Sequence, residues 1–156
     1  MLHKMKKAEL RTKDDIWNAM VFLLSDYDFP TDNETANKAR MVYHYYSELE
    51  SAGHEGLFNW CSSDIEELGA ARYFEKLVRA LKEINAQDYA LIEEKYGVQL
   101  WKLFQALENE EIPEEEFYNI IEKADNEYWQ LNGKIGELLE TYFVNIHKEF
   151  IEVIDD

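Results

Sequence analysis

Cysteine is all but missing from this 156-residue chain: Cys61 stands alone, so no internal disulfide can form. Two prolines and six glycines leave little to interrupt helices, and suit short joints between them. Long hydrophobic runs are missing too. The best of them, Ala19-Met20-Val21-Phe22-Leu23-Leu24, is far too short to span a bilayer. No secretory leader is expected, because the first thirteen residues are basic and polar and no apolar run precedes Ala19. A soluble, cytoplasmic protein is the expectation. Positive charge is scarce, with 16 Lys and Arg against 33 Asp and Glu and a net charge of −17. A field of that sign repels nucleic acid and anionic membranes and attracts basic partners. Ordinary solubility is the competing explanation for it.

What is present points to a packed core. Hydrophobic residues make up 46% and aromatic residues 14%, too much for a disordered acidic tail. The length suits one domain. Charge is also unevenly spread: Lys4, Lys6, Lys7, Arg11 and Lys13 against Glu9 give the first thirteen residues +4, leaving −21 for the rest.

Apolar spacing is helical throughout. A first helix is expected from Thr12 or Asp14, with Ile16, Ala19, Met20, Leu23 and Tyr27 on one face and termination over Asp26–Pro30. Thr31-Asp32-Asn33-Glu34 reads as a capping box for a second helix whose stripe is Ala39, Val42, Tyr43, Tyr46 and Leu49. Gly53 is its expected C-terminal cap. A turn over Gly53–Trp60 follows, then a second capping box at Ser63–Glu66 and a helix through Phe74, Leu77, Val78, Leu81 and Ile84. A short helix from Ala86 to Lys95, capped by Gly97, precedes another through Leu100, Trp101, Phe104 and Leu107. Pro113 fits the first turn of the next helix. A last helix of about twenty residues, striped from Ile135 to Ile154, would span ~30 Å. The expected fold is all-α: a single compact bundle of about six to eight helices with a long C-terminal helix. A basic segment, 1–13, free to be mobile, precedes one acidic helical domain, 14–156.

Enzyme motifs are wanting. His3, His44, His54 and His147 show no zinc-type spacing. His54-Glu55, beside two glycines, is the best catalytic candidate, with polar closure of the turn the stronger reading. The i, i+3 acid pairs Glu137/Glu140, Glu149/Glu152, Glu111/Glu114 and Glu122/Asp125 resemble the magnesium-binding pattern of helical pyrophosphohydrolases. The first set lacks the closing aspartate and Pro113 interrupts the second, so solvated faces are the better reading. No catalytic residue, metal or cofactor is assigned. One segment stands apart, Glu108–Glu127, where Glu108, Glu110, Glu111, Glu114, Glu115, Glu116, Glu122, Asp125 and Glu127 face only Lys123, a net of −8. Glu114–Glu116 suit a helix N-terminus; Glu108, Glu110 and Glu111 oppose the dipole of the preceding helix.

Gly53-His54-Glu55-Gly56-Leu57-Phe58-Asn59-Trp60 resembles the glycine–aromatic turn of a bacterial DNA-mimic protein family, small acidic helical proteins forming a domain-of-unknown-function family. Leu81-Lys82-Glu83-Ile84-Asn85-Ala86-Gln87-Asp88-Tyr89-Ala90 is similar to a second element of that family, and Tyr142–His147 to its closing helix. This sequence departs from the pattern where His54 and Glu55 split the glycines and where Asn85 replaces a glycine. The resemblance runs from about Val42 to the C-terminus. It implies an all-helical protein that presents carboxylates in place of DNA phosphates to a basic protein, such as a transcription regulator. The nine acids of Glu108–Glu127 are the expected contact residues, and Gly53, His54, Glu55, Gly56, Phe58 and Trp60 the structural turn. Carboxylates at i and i+4 would lie ~6 Å apart. The alternatives are an immunity-type inhibitor of a basic nuclease toxin and a small metal-dependent hydrolase. Direct nucleic-acid or membrane binding is not expected, and a homodimer is left open.

Overall fold

Apolar residues at helical spacing draw the chain into six α-helices in a computed structural model that describes residues 2–26 and 31–156. They are α1 (Lys13–Asp26), α2 (Glu34–Leu68), α3 (Ala70–Glu83), α4 (Gln87–Glu108), α5 (Glu114–Trp129) and α6 (Lys134–Ile146). The fold is an all-α bundle. Helix α3 packs between α2 and α4, α5 lies on α4 and α2, and α1 packs against α6. Helix α1 buries Ile16, Ala19, Met20, Leu23 and Leu24 as its spacing predicts. Its expected termination at Tyr27–Pro30 lies outside the described residues.

Several boundaries differ from the sequence expectation. Asn33, not Thr31, caps α2: its side-chain oxygen accepts from Ala36 N–H at 3.1 Å. Thr31 instead exchanges hydrogen bonds with Asn37. The inward tyrosine of α2 is Tyr45, fully buried, whereas Tyr43 and Tyr46 are half-buried against Trp17. Tyr45 meets Tyr128, and Tyr128 meets Tyr89, edge to face at 6.1 and 5.3 Å.

Gly97 ends nothing; it lies inside α4. A Cβ there would stand 2.4 Å from Phe74 Cδ1, so glycine lets α3 and α4 approach closely. The second capping box also fails, because Ser63–Glu66 sit inside α2.

The long C-terminal helix is shortened to thirteen residues. After a single 3₁₀ turn at His147–Glu149, strand β2 (Ile151–Ile154) pairs in parallel with β1 (His3–Lys6). Phe150 and Ile151 are still buried, so the apolar stripe does enter the core, through strand geometry that β-branched Ile151, Val153 and Ile154 favour. The basic N-terminal residues are held alongside it: Ala8 N–H donates to Asp156 Oδ1 at 2.9 Å, and Arg11 lies 3.9 Å from the same carboxylate. Neither strand has a pattern that local sequence could reveal, because each exists by pairing with the far end of the chain.

Candidate functional site

The glycine–aromatic stretch is not an open turn. Only Gly53 leaves helical geometry (φ +70°, ψ −164°), and His54 through Leu68 continue as helix. One residue of left-handed backbone re-aims the chain and leaves the N–H groups of the following segment without partners inside the helix. Asp125, reaching across from α5, supplies one: its Oδ1 accepts the backbone N–H of His54 at 2.9 Å. An anion at a helix N-terminus is also favoured by the helix dipole.

The same Asp125 oxygen accepts from His54 Nδ1 at 2.6 Å. On the opposite edge of the ring, Nε2 donates to Glu93 Oε2 at 2.8 Å and Oε1 at 3.0 Å. Tyr45 Oη donates to Glu93 Oε2 at 2.7 Å. The His54 and Glu93 side chains are 0% exposed and Asp125 is 24% exposed. Burial pulls the His54 pKa down, but the Glu93 charge and the hydrogen bonds to Asp125 and Glu93 outweigh it and push the pKa to about 9. His54 is therefore an imidazolium at neutral pH, donating from both nitrogens. Glu93 and Asp125 take opposite edges of the ring, so no single ion could touch all three. Among the described residues no group of three or more histidines, cysteines or acids is placed to hold a metal ion. The chemistry available to this cluster is that of a clamp joining α2, α4 and α5.

Gly53 is fixed twice over, by its positive φ and by the 2.6 Å separation that an added Cβ would have from Asp125 Oδ2. Gly53→Ala is expected to lower stability by about 2–4 kcal/mol, read as the midpoint of urea unfolding. Of the other turn residues, Gly56 is buried and helical and Phe58 is fully buried against Phe74, Trp101 and Phe104. Glu55 accepts from Tyr118 Oη at 3.1 Å, and Trp60 points outward, 73% exposed. Cys61 is buried, which raises its thiol pKa to about 11 and leaves it a poor nucleophile.

The acidic segment separates into two groups. Glu108, Glu110, Glu111, Glu114, Glu115, Glu116 and Glu122 are exposed and make no ion pair among the described residues. Asp125 does not belong with them, since it is committed to His54, and Glu127 is half-buried and 3.5 Å from Lys95. The expected i, i+4 ladder is also absent. Glu114–Glu116 fan around the first turn of α5, and Glu122 stands ~10.5 Å along the axis from Glu115. Glu110 adopts the left-handed conformation at φ +57°, where its N–H and that of Glu111 close the end of α4 on Leu107 and Ala106 carbonyls. Glycine is the usual occupant of such a position. Glu110→Gly is expected to raise stability by ~0.5–1 kcal/mol in chemical denaturation while removing one surface carboxylate.

Asn85 adopts the same conformation at the end of α3, with φ +67°. This explains physically why asparagine can replace a glycine before Ala86. Sequence reasoning missed Tyr45 and Glu93. A glutamate in register with Tyr89, Ala90, Tyr96 and Gly97 on one helical face was the available signal, because a buried acid demands a cationic partner.

An acidic helical scaffold, clamped internally by one imidazolium and left unneutralised along one end, is the class these features define. The profile of the DMP19-like protein family matches residues 33–147. The chain belongs to that family, which is the DNA-mimic family its glycine–aromatic stretch resembles, and membership supports a general interaction role of the DNA-mimic kind. No curated protein and no solved structure matches the chain. No described helix is long and apolar enough to cross a membrane.

Proposed function

We propose that this protein is an interaction protein that covers the DNA-binding surface of a basic partner, setting carboxylates where that partner otherwise meets phosphates. One observation carries the reading: seven exposed carboxylates between Glu108 and Glu122 have no ion-pair partner among the described residues. They project from the end of α4, the connecting loop and the first turns of α5. Arginine and lysine side chains that neutralise phosphates can pair equally well with carboxylates. In this reading the His54 cluster is structural, holding α5 at a fixed height against α2 and α4, and takes no part in any reaction.

The test is binding of DNA-binding proteins captured from native lysate at low and high salt, by the natural chain and by a variant with Glu110, Glu111, Glu114 and Glu115 reversed to lysine. Loss of a defined regulator in the variant, together with competition by its own DNA, supports mimicry. Unchanged capture of every basic partner removes the reading. Capture of a basic nuclease instead would favour the immunity-type inhibitor.

A further inference from the structure

Six large apolar side chains are exposed among the described residues, and two of them, Tyr118 and Trp129, belong to α5. They share one face. At 3.6 residues per turn, Glu115, Tyr118, Glu122, Asp125 and Trp129 fall within about 80° of one another and run ~21 Å along the helix. Two of the five hold this ridge in place: Asp125 binds His54 of α2, and Tyr118 Oη donates to Glu55 at 3.1 Å. These struts fix the rotation of α5, so the other three side chains are presented in a set order. Glu115 and Glu122 are exposed and make no ion pair among the described residues. Trp129 is 45% exposed, and Tyr118 keeps 36% of its surface open between the two acids. A merely solvated face has no use for tryptophan, whereas aromatic side chains are enriched where interfaces form.

We propose that the α5 ridge receives a basic helix of the partner lying lengthwise along it, an inference that rests on the interaction reading above. Charge selects the occupant. A second copy of this chain carries −17 and would bring the same acids to the ridge, and nucleic acid would be repelled in the same way. A wholly apolar helix would strip water from two carboxylates and give nothing back. A helix with arginine at i and i+7 sets the two cations ~10.5 Å apart, the same two turns that separate Glu115 from Glu122. Their aliphatic stems can cover Tyr118 while the charged heads reach the acids. Trp129 stands two turns beyond Glu122, so an apolar residue at i+14 of the occupant covers it. The ridge therefore reads an order, two cations and then an apolar side chain, within a surface that otherwise attracts any cation.

The experiment titrates the full-length, ¹⁵N-labelled chain at low salt with two alanine-based helical peptides of identical composition. In the first, arginines at i and i+7 and a leucine at i+14 share a face; in the second, the same residues are scattered around the helix. The Trp129 indole N–H resonance is expected to shift saturably with the first peptide, which binds about five-fold or more tighter than the second. Glu115→Gln/Glu122→Gln, altered only at exposed positions, is expected to abolish that preference. Trp129→Ala is expected to weaken the first peptide about three-fold or more and leave the second unchanged. Equal affinity for the two peptides, or a Trp129 resonance that never moves, overturns the ridge. Partner capture lost on reversing Glu110, Glu111, Glu114 and Glu115 but unchanged in Glu122→Gln/Trp129→Ala likewise overturns the ridge and leaves the partner reading standing. Preference for the first peptide in a chain that captures no basic protein keeps the ridge and removes the partner reading.

Discussion

His54→Ala is expected to destabilise the fold by about 3–5 kcal/mol, lowering the thermal midpoint by roughly 10 °C or more in calorimetry. The cost arises less from the lost imidazole contacts than from what they leave behind. Glu93 is fully buried, and without His54 its one remaining hydrogen-bond partner among the described residues is the Tyr45 hydroxyl. Asp125 would also lose the side chain that seats it over the His54 N–H. Removing the opposing charge as well, in His54→Leu/Glu93→Leu, is expected to cost less than the sum of the single changes by at least about 1 kcal/mol. Strict additivity would show that the two groups do not act as a pair.

The same cluster sets a pH dependence with a defined sign. The folded-state pKa of His54, at about 9, lies above the ordinary value of 6.5, so folding binds its proton more tightly. That contribution is fully present below about pH 6.5 and disappears as pH climbs through 9. At ~1.4 kcal/mol per pH unit it amounts to about 3 kcal/mol. The natural chain is therefore expected to lose stability between pH 7 and 10 relative to His54→Asn, measured as the difference between their urea midpoints. Parallel curves would remove the imidazolium assignment.

Reversing Glu110, Glu111, Glu114 and Glu115 to lysine is expected to weaken binding of the basic partner at least about hundred-fold at low salt. Each reversal adds two charges, taking the net charge from −17 to −9. The affinity of the natural chain is expected to fall steeply with salt, and that of the variant only weakly, because fewer ion pairs form across the interface. Stability acts as the control. Glu114 and Glu115 occupy the first turn of α5, where losing each acid costs about 0.3–1 kcal/mol against the helix dipole. Relief of crowding at Glu110 and Glu111 opposes that loss, so the thermal midpoint should move by only a few degrees. A variant that stays folded and binds every basic partner as well as the natural chain would remove the reading.

Helix periodicity was legible wherever burial is decided by neighbours three and four residues away. The face of α1, the start of α5 after Pro113 and the apolar stripe of α6 all follow from that spacing. The acidic segment was legible as well, since charge density is a property of composition, and so was the singular character of Gly53. Contacts between distant segments were not. His54 meets Glu93 and Asp125 across 39 and 71 positions, and no local pattern relates them. Tertiary packing converted an expected turn into a single break in α2, made Gly97 a contact point rather than a cap, and turned the end of an expected helix into a strand. It also removed Asp125 and Glu127 from the outward face. The physical reason is common to all of these. Spacing records which side of an element is apolar, whereas the partner of a buried charge, an unpaired strand or a helix face is chosen by whatever the rest of the chain brings beside it.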